Sequence, residues 1–227
     1  MDGRHLTFRL VGINNQNFVM QDDQTGSWWQ QVTGRALFGP LAGRQLELVP
    51  HDEVSFSLWR ADHPDSLVLR PDAAVEADYE PADWERKMQD VPTVTTLPPG
   101  SPLPARALVV GVQIGDRSVA YPLDRARDTR LLMDVIADVP LMVVVAEDGR
   151  SVRVFDRRVE GRPSEFVAKS KANPPVLVDL ETGSEWSFGG LAVSGPRRGH
   201  QLRRITFILE YWFDWQTYHP STEVFRH

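Results

Sequence analysis

Cysteine is absent from all 227 residues. That one absence removes disulfides, thiol nucleophiles and thiolate metal ligands together, and it leaves the redox compartment open. A basic excess is lacking too: 25 Lys and Arg stand against 31 Asp and Glu, a net charge of -6. Gripping a phosphate backbone needs a basic face, so no nucleic-acid partner is expected. No apolar run approaches the roughly 18 residues of a membrane-spanning helix, so no membrane span is expected. The opening MDGRHLTFRL has no apolar stretch of signal-peptide type, and the compartment stays unknown.

Also missing are the glycine-rich phosphate loops G-x-x-x-x-G-K-[ST] and G-x-G-x-x-G, and the G-x-S-x-G nucleophile turn. The six histidines, at 5, 51, 63, 200, 219 and 227, show no i, i+4 pairing. A zinc site needs several converging ligands. No metal, no cofactor and no catalytic residue is therefore assigned.

Short alternating runs dominate what is present. HLTFRLVGI, NFVMQD, ALVVGVQIG, LMVVVAEDGRSVRVFDRR and PPVLVDLE read as strands, with EDGR (147–150) a hairpin turn whose Asp-Gly tolerates positive φ. Helices are predicted over 55–63, with Ser55 as a cap and Pro64 as a stop, and over 80–90, with a proline in the first turn. A third is predicted over 127–139, with Leu131, Leu132, Val135 and Ile136 on one face and Pro140 closing it. The fold class is α+β and β-dominated. Residues 71–105 carry seven prolines and read as a linker with one short helix. The expected organisation is a first lobe over 1–70, that linker, and a second lobe over 106–227.

The chain also repeats itself. Asp22, Thr25, Gly26, Ser27 and Trp29 return as Asp179, Thr182, Gly183, Ser184 and Trp186. One deletion later, Gly34, Ala36, Gly39, Pro40, Gly43, Gln45 and Leu46 return as Gly190, Ala192, Gly195, Pro196, Gly199, Gln201 and Leu202. Trp59, His63, Pro64 and Val68 match Trp215, His219, Pro220 and Val224. So many identities in order imply two copies of one unit, hence two related strand-rich lobes. Most of the shared residues are turn formers or large apolar side chains, and scaffold explains them. Copy one has no counterpart of residues 107–158. Half a unit is thus expected to be missing before Met1, through truncation, completion by a second subunit, or a degenerate lobe leaning on copy two. Unpaired strand edges would favour homo-oligomers.

The stretches DDQTGSWWQQVTGRALFGPLAGRQLELV, HPDSLVL, VVGVQIGDRSVAYPL, VRVFDRRVEGR and YWFDWQTYHPSTEV resemble the bacterial domain-of-unknown-function family 3179 over essentially the whole chain. The resemblance implies a tandem repeat without a settled activity, in proteins that often look exported. It also implies a C-P-L-C element and an upstream histidine in the front half of the first repeat. In copy two Ala146-Glu147-Asp148-Gly149 stands at the C-P-L-C position and Thr129 at the histidine position.

Function is therefore sought in copy one, which differs from copy two at Asn14, Asn15, Asn17, Trp28, Gln31 and Thr33. Asn15, Ser27, Trp29, Gln31 and Thr33 fit the pattern that the family resemblance implies for the first repeat. Amides and hydroxyls beside an indole would form a polar pocket for a small ligand. The leading expectation is a non-catalytic binding or scaffold protein. The alternative is an enzyme, or part of one, whose pocket is completed by upstream sequence or by a partner subunit.

Overall fold

The computed structural model describes residues 3, 5–14, 17–169 and 176–226. Among these residues the chain is strand-rich, with several small sheets and few short helices. None of those helices is long and apolar enough to cross a membrane.

The first elements are β1 (Phe8–Asn14), β2 (Asn17–Asp22), β3 (Trp28–Gln30) and β4 (Ala36–Phe38), which form one antiparallel sheet in chain order. Helix α1 (Phe56–Asp62) follows, then a 3-10 turn over Ala73–Asp78 and α2 (Trp84–Asp90). The proline-rich stretch therefore holds two short helical pieces, where one was expected. Ser55 stands at the start of α1 without capping it, because its hydroxyl is 3.0 Å from that of Ser57.

The chain continues through β5 (Leu108–Ile114), β6 (Arg117–Pro122), α3 (Leu123–Thr129), β7 (Leu131–Ile136), β8 (Val139–Val145) and β9 (Val152–Asp156). Here the structure corrects the sequence. Residues 127–139 are not one helix. Arg130 takes φ 61° and ends α3, and Leu131–Ile136 then pairs residue for residue with β8. Val135 and Ile136 are β-branched and fit a pleated surface better than a helical turn. Ala137 and Asp138, at φ 46° and 64°, supply the positive angles that a two-residue hairpin turn requires. The EDGR turn joins β8 to β9, with Gly149 at φ 66°.

Short strands complete the chain: β10 (Arg158–Val159), β11 (Arg162–Pro163), β12 (Phe166–Ala168), β13 (Leu177–Asp179), β14 (Glu185–Trp186) and β15 (Arg203–Arg204). The last elements are β16 (Ile208–Tyr211), α4 (Trp212–Tyr218) and β17 (Glu223–Val224).

Two compact units are present. The first comprises Met1–His51, Val94–Tyr121 and Thr206–His227. It holds the β1-to-β4 sheet and a second sheet ordered β16-β5-β6-β17, in which β17 runs parallel to β6. Val109, Ala120, Trp212 and Trp215 form a core there. The second unit comprises Asp52–Thr93 and Pro122–Ile205. Its core is built from Met142, Val144, Phe155, Phe166, Trp186 and Leu202, with Leu58 of α1 packed against it. Buried Arg153 bridges Asp52 and Asp62 at 2.9 and 2.7 Å and lies over the Phe188 ring.

Each unit contains the same turn. Asp22 accepts the Trp29 indole N–H at 2.8 Å, and Asp179 accepts that of Trp186 at 2.8 Å. The Ser27 hydroxyl accepts from Leu41 N–H at 3.0 Å, and the Ser184 hydroxyl from Arg197 N–H at 3.0 Å. A Cβ on Gly39 would lie 2.7 Å from Ser27 Cα, and one on Gly195 2.7 Å from Ser184 Cα, so only glycine fits.

Candidate functional site

A cavity of about 370 Å³ opens within the first unit, inside the range of roughly 300–1,000 Å³ typical of small-molecule sites. Its floor begins with α4. Trp212, Phe213 and Trp215 are buried and press that helix onto the sheet. Trp215 can lie there because β5 offers Gly111: a Cβ at that position would sit 2.3 Å from the indole ring. Gln113, two residues on, shares the face of Gly111 by strand alternation and also lines the cavity.

One helical turn after Trp215 comes His219, which caps α4. Its ring stacks on Trp215 with centroids 3.7 Å apart and planes 16° from parallel. Nδ1 lies 3.2 Å from the Trp215 carbonyl oxygen, and Nε2 lies 3.3 Å from Gln113 Oε1. Gln113 presents that oxygen because its amide N–H donates to the Gly115 carbonyl at 3.2 Å. Burial pushes the His219 pKa below its ordinary value, although the bond to the Trp215 carbonyl opposes the shift. Burial therefore favours the neutral ring.

The opposite wall comes from the loop between β3 and β4. Gly34, at φ 66°, turns the chain, and Thr33 donates its hydroxyl to Gln30 Oε1 at 2.8 Å. The Gln45 amide donates to the Thr33 carbonyl and ties the loop down. Arg35 also lines the cavity, and among the described residues its guanidinium has no partner. Leu48, Phe207 and Ile208 supply apolar surface. Arg35 is the one fixed charge in the lining, and no carboxylate lines it among the described residues.

A second unusual group lies deeper on α4. Asp214 is 2 % exposed and accepts from the Asn17 amide, and its other oxygen has no partner among the described residues. Burial pushes its pKa up to about 6, against the lowering effect of the Asn17 bond. Elsewhere, no group of three or more His, Asp or Glu side chains gathers for a metal ion among the described residues.

Residues 1–222 match the model of the family described as Protein of unknown function (DUF3179). The chain belongs to that family. No curated protein and no solved structure matches it.

In this DUF3179 chain the four described residues among the five picked from the sequence take different settings. Thr33 lines the cavity. Ser27 and Trp29 are fully buried within the Asp22 turn. Gln31 is exposed, and its side-chain oxygen is 3.4 Å from the Phe18 N–H. Asn15 lies outside the described residues. Sequence reasoning passed over Arg35, Gln113 and His219. A signal existed for Arg35: between the shared Gly34 and Ala36, copy one has arginine where copy two has Leu191. His219 was legible only as a helix end, and Gln113 only as a strand position.

Proposed function

We propose that this DUF3179 protein is a non-catalytic binding module, a tandem-repeat scaffold whose cavity in the first unit takes a small ligand. The cavity itself carries the reading. It joins an apolar floor to a few polar groups, and among the described residues no carboxylate pairs with the Arg35 guanidinium. Such a combination orients a ligand. The two Asp–Trp turns, bonded alike at 2.8 Å, support the repeat. On this reading Thr33 belongs to the site, while Ser27 and Trp29 hold its frame.

The test is a fragment screen by thermal shift on the full chain and on Gln113→Ala. Gln113 is exposed at the cavity, so its loss spares the fold. Fragments that raise the wild-type Tm and leave the variant unmoved are the expected result. A screen in which no fragment separates the two proteins overturns the reading.

One observation favours an enzyme instead: Asp214 has its pKa raised to about 6, and such groups gather at catalytic centres. Asp214 does not line the cavity, and this keeps the enzyme reading second.

A further inference from the structure

The ligand class follows from the charges around the cavity and rests on the binding reading above. The protein as a whole is acidic, at -6, yet this lining presents a lone guanidinium and no carboxylate among the described residues. An unpaired arginine offers a planar fork of N–H donors that suits a carboxylate. The planar fork matches a carboxylate in shape, and the apolar part of the lining favours an organic acid over inorganic phosphate. Leu48, Phe207, Ile208 and Trp215 supply the apolar part of the lining, which suits the body of an organic acid.

His219 adds a second element. Both of its ring nitrogens face carbonyl-type oxygens, at 3.2 and 3.3 Å. A neutral imidazole has one N–H and can satisfy one of them; the imidazolium satisfies both. A negative ligand in the same cavity favours the charged ring. Among the described residues, the other charged or titratable groups of the lining are Arg35 and Tyr218, and Asp214 stands earlier on α4. Gln113 of β5, Thr206 before β16, and Gln45 and Leu48 do not titrate.

We propose that the cavity of the first unit binds a small organic monoanion, a carboxylate on an apolar body, with Arg35 pairing the carboxylate and His219 taking up a proton from solvent as it binds.

The probes are benzoate and its uncharged counterpart benzamide, measured by isothermal titration calorimetry on the full chain. Expected are benzoate binding at least about tenfold tighter than benzamide, loss of that preference in Arg35→Met, and loss of benzoate binding in Gln113→Ala. Titrations in two buffers of different ionisation enthalpy should show proton uptake by the wild type and none by His219→Asn. Equal binding of benzamide and benzoate, still lost in Gln113→Ala, overturns the anion assignment and leaves the binding site standing. Failure of both probes overturns the anion assignment, and a fragment screen without hits then removes the binding reading as well. An Arg35→Met variant that keeps the preference also overturns the assignment. Benzoate binding without proton uptake removes the role given to His219.

Discussion

Asn17 of β2 donates its side-chain amide to Asp214 of α4, 197 residues further along the chain, inside the first unit. The bond satisfies one carboxylate oxygen and leaves the other buried without a partner among the described residues. A carboxyl group in that position is easier to bury as the acid than as the anion.

The sign of the resulting pH dependence follows. The Asp214 pKa is raised from 3.8 to about 6, so its contribution to stability is fully present below about pH 4 and is lost as the pH rises towards 6. Replacing it by asparagine should stabilise the protein at pH 7 by on the order of 2–3 kcal/mol. Below pH 4 the variant and the wild type should match. Urea titrations at pH 3.5, 5 and 7 check both halves of the expectation.

The opposite dependence belongs to Asp156, Asp22 and Asp179. Burial alone would raise Asp156, but the bonds from Arg158 and Arg203 outweigh it and lower the pKa to about 2. Burial works against Asp22 and Asp179 as well, and their tryptophan and threonine partners again prevail to lower both. Stability from these three groups is present above about pH 4 and falls away as the pH drops below it. Asp22→Asn and Asp179→Asn should each cost about 2 kcal/mol at pH 7 and clearly less at pH 3. Equal costs at the two pH values, in melts monitored by tryptophan fluorescence, would contradict this.

Gly111 is the clearest steric constraint. Adding one methyl group there drives it into the Trp215 ring at 2.3 Å, and backbone and helix must part. Gly111→Ala should cost about 3 kcal/mol. It should also disturb the cavity, because Trp215 carries His219. Paired chemical denaturation and indole fluorescence would reveal the shift, and an unperturbed Trp215 environment would refute the packing account.

Arg153 in the second unit is 1 % exposed and meets two aspartates, of which Asp52 is itself 4 % exposed. Arg153→Leu removes the cation while leaving Asp52 buried beside the outer Arg204 alone. A loss of about 3 kcal/mol is expected. Pairing the change with Asp52→Asn should recover part of that loss, since the stranded anion goes with it. A double variant no better than Arg153→Leu would show that the charge was not what mattered.

Much of this architecture could be read locally. The strands over 8–14, 17–22 and 108–114 follow from alternation and β-branched residues, and the EDGR turn from Asp-Gly. The helix over 127–139 misled because Leu131, Leu132, Val135 and Ile136 satisfy a helical stripe as well as a strand. Pairing with β8, invisible in a local window, chose the strand. The site was less legible than the fold. Ser27 and Trp29 were conspicuous because they recur, and they recur in two turns with matching hydrogen bonds.

What the sequence by itself determined is the material that local rules govern: absent thiols, an acidic balance, the strand-rich character, and the turns held by Asp22, Asp179, Gly39 and Gly195. What only the tertiary structure decided is which distant side chains meet. Arg35, Gln113 and His219 come from three separate segments, and Asn17 meets Asp214 across almost the whole chain. Their chemistry depends on burial and on partners. Neither quantity belongs to a residue until the chain has folded, because both are set by neighbours remote in sequence.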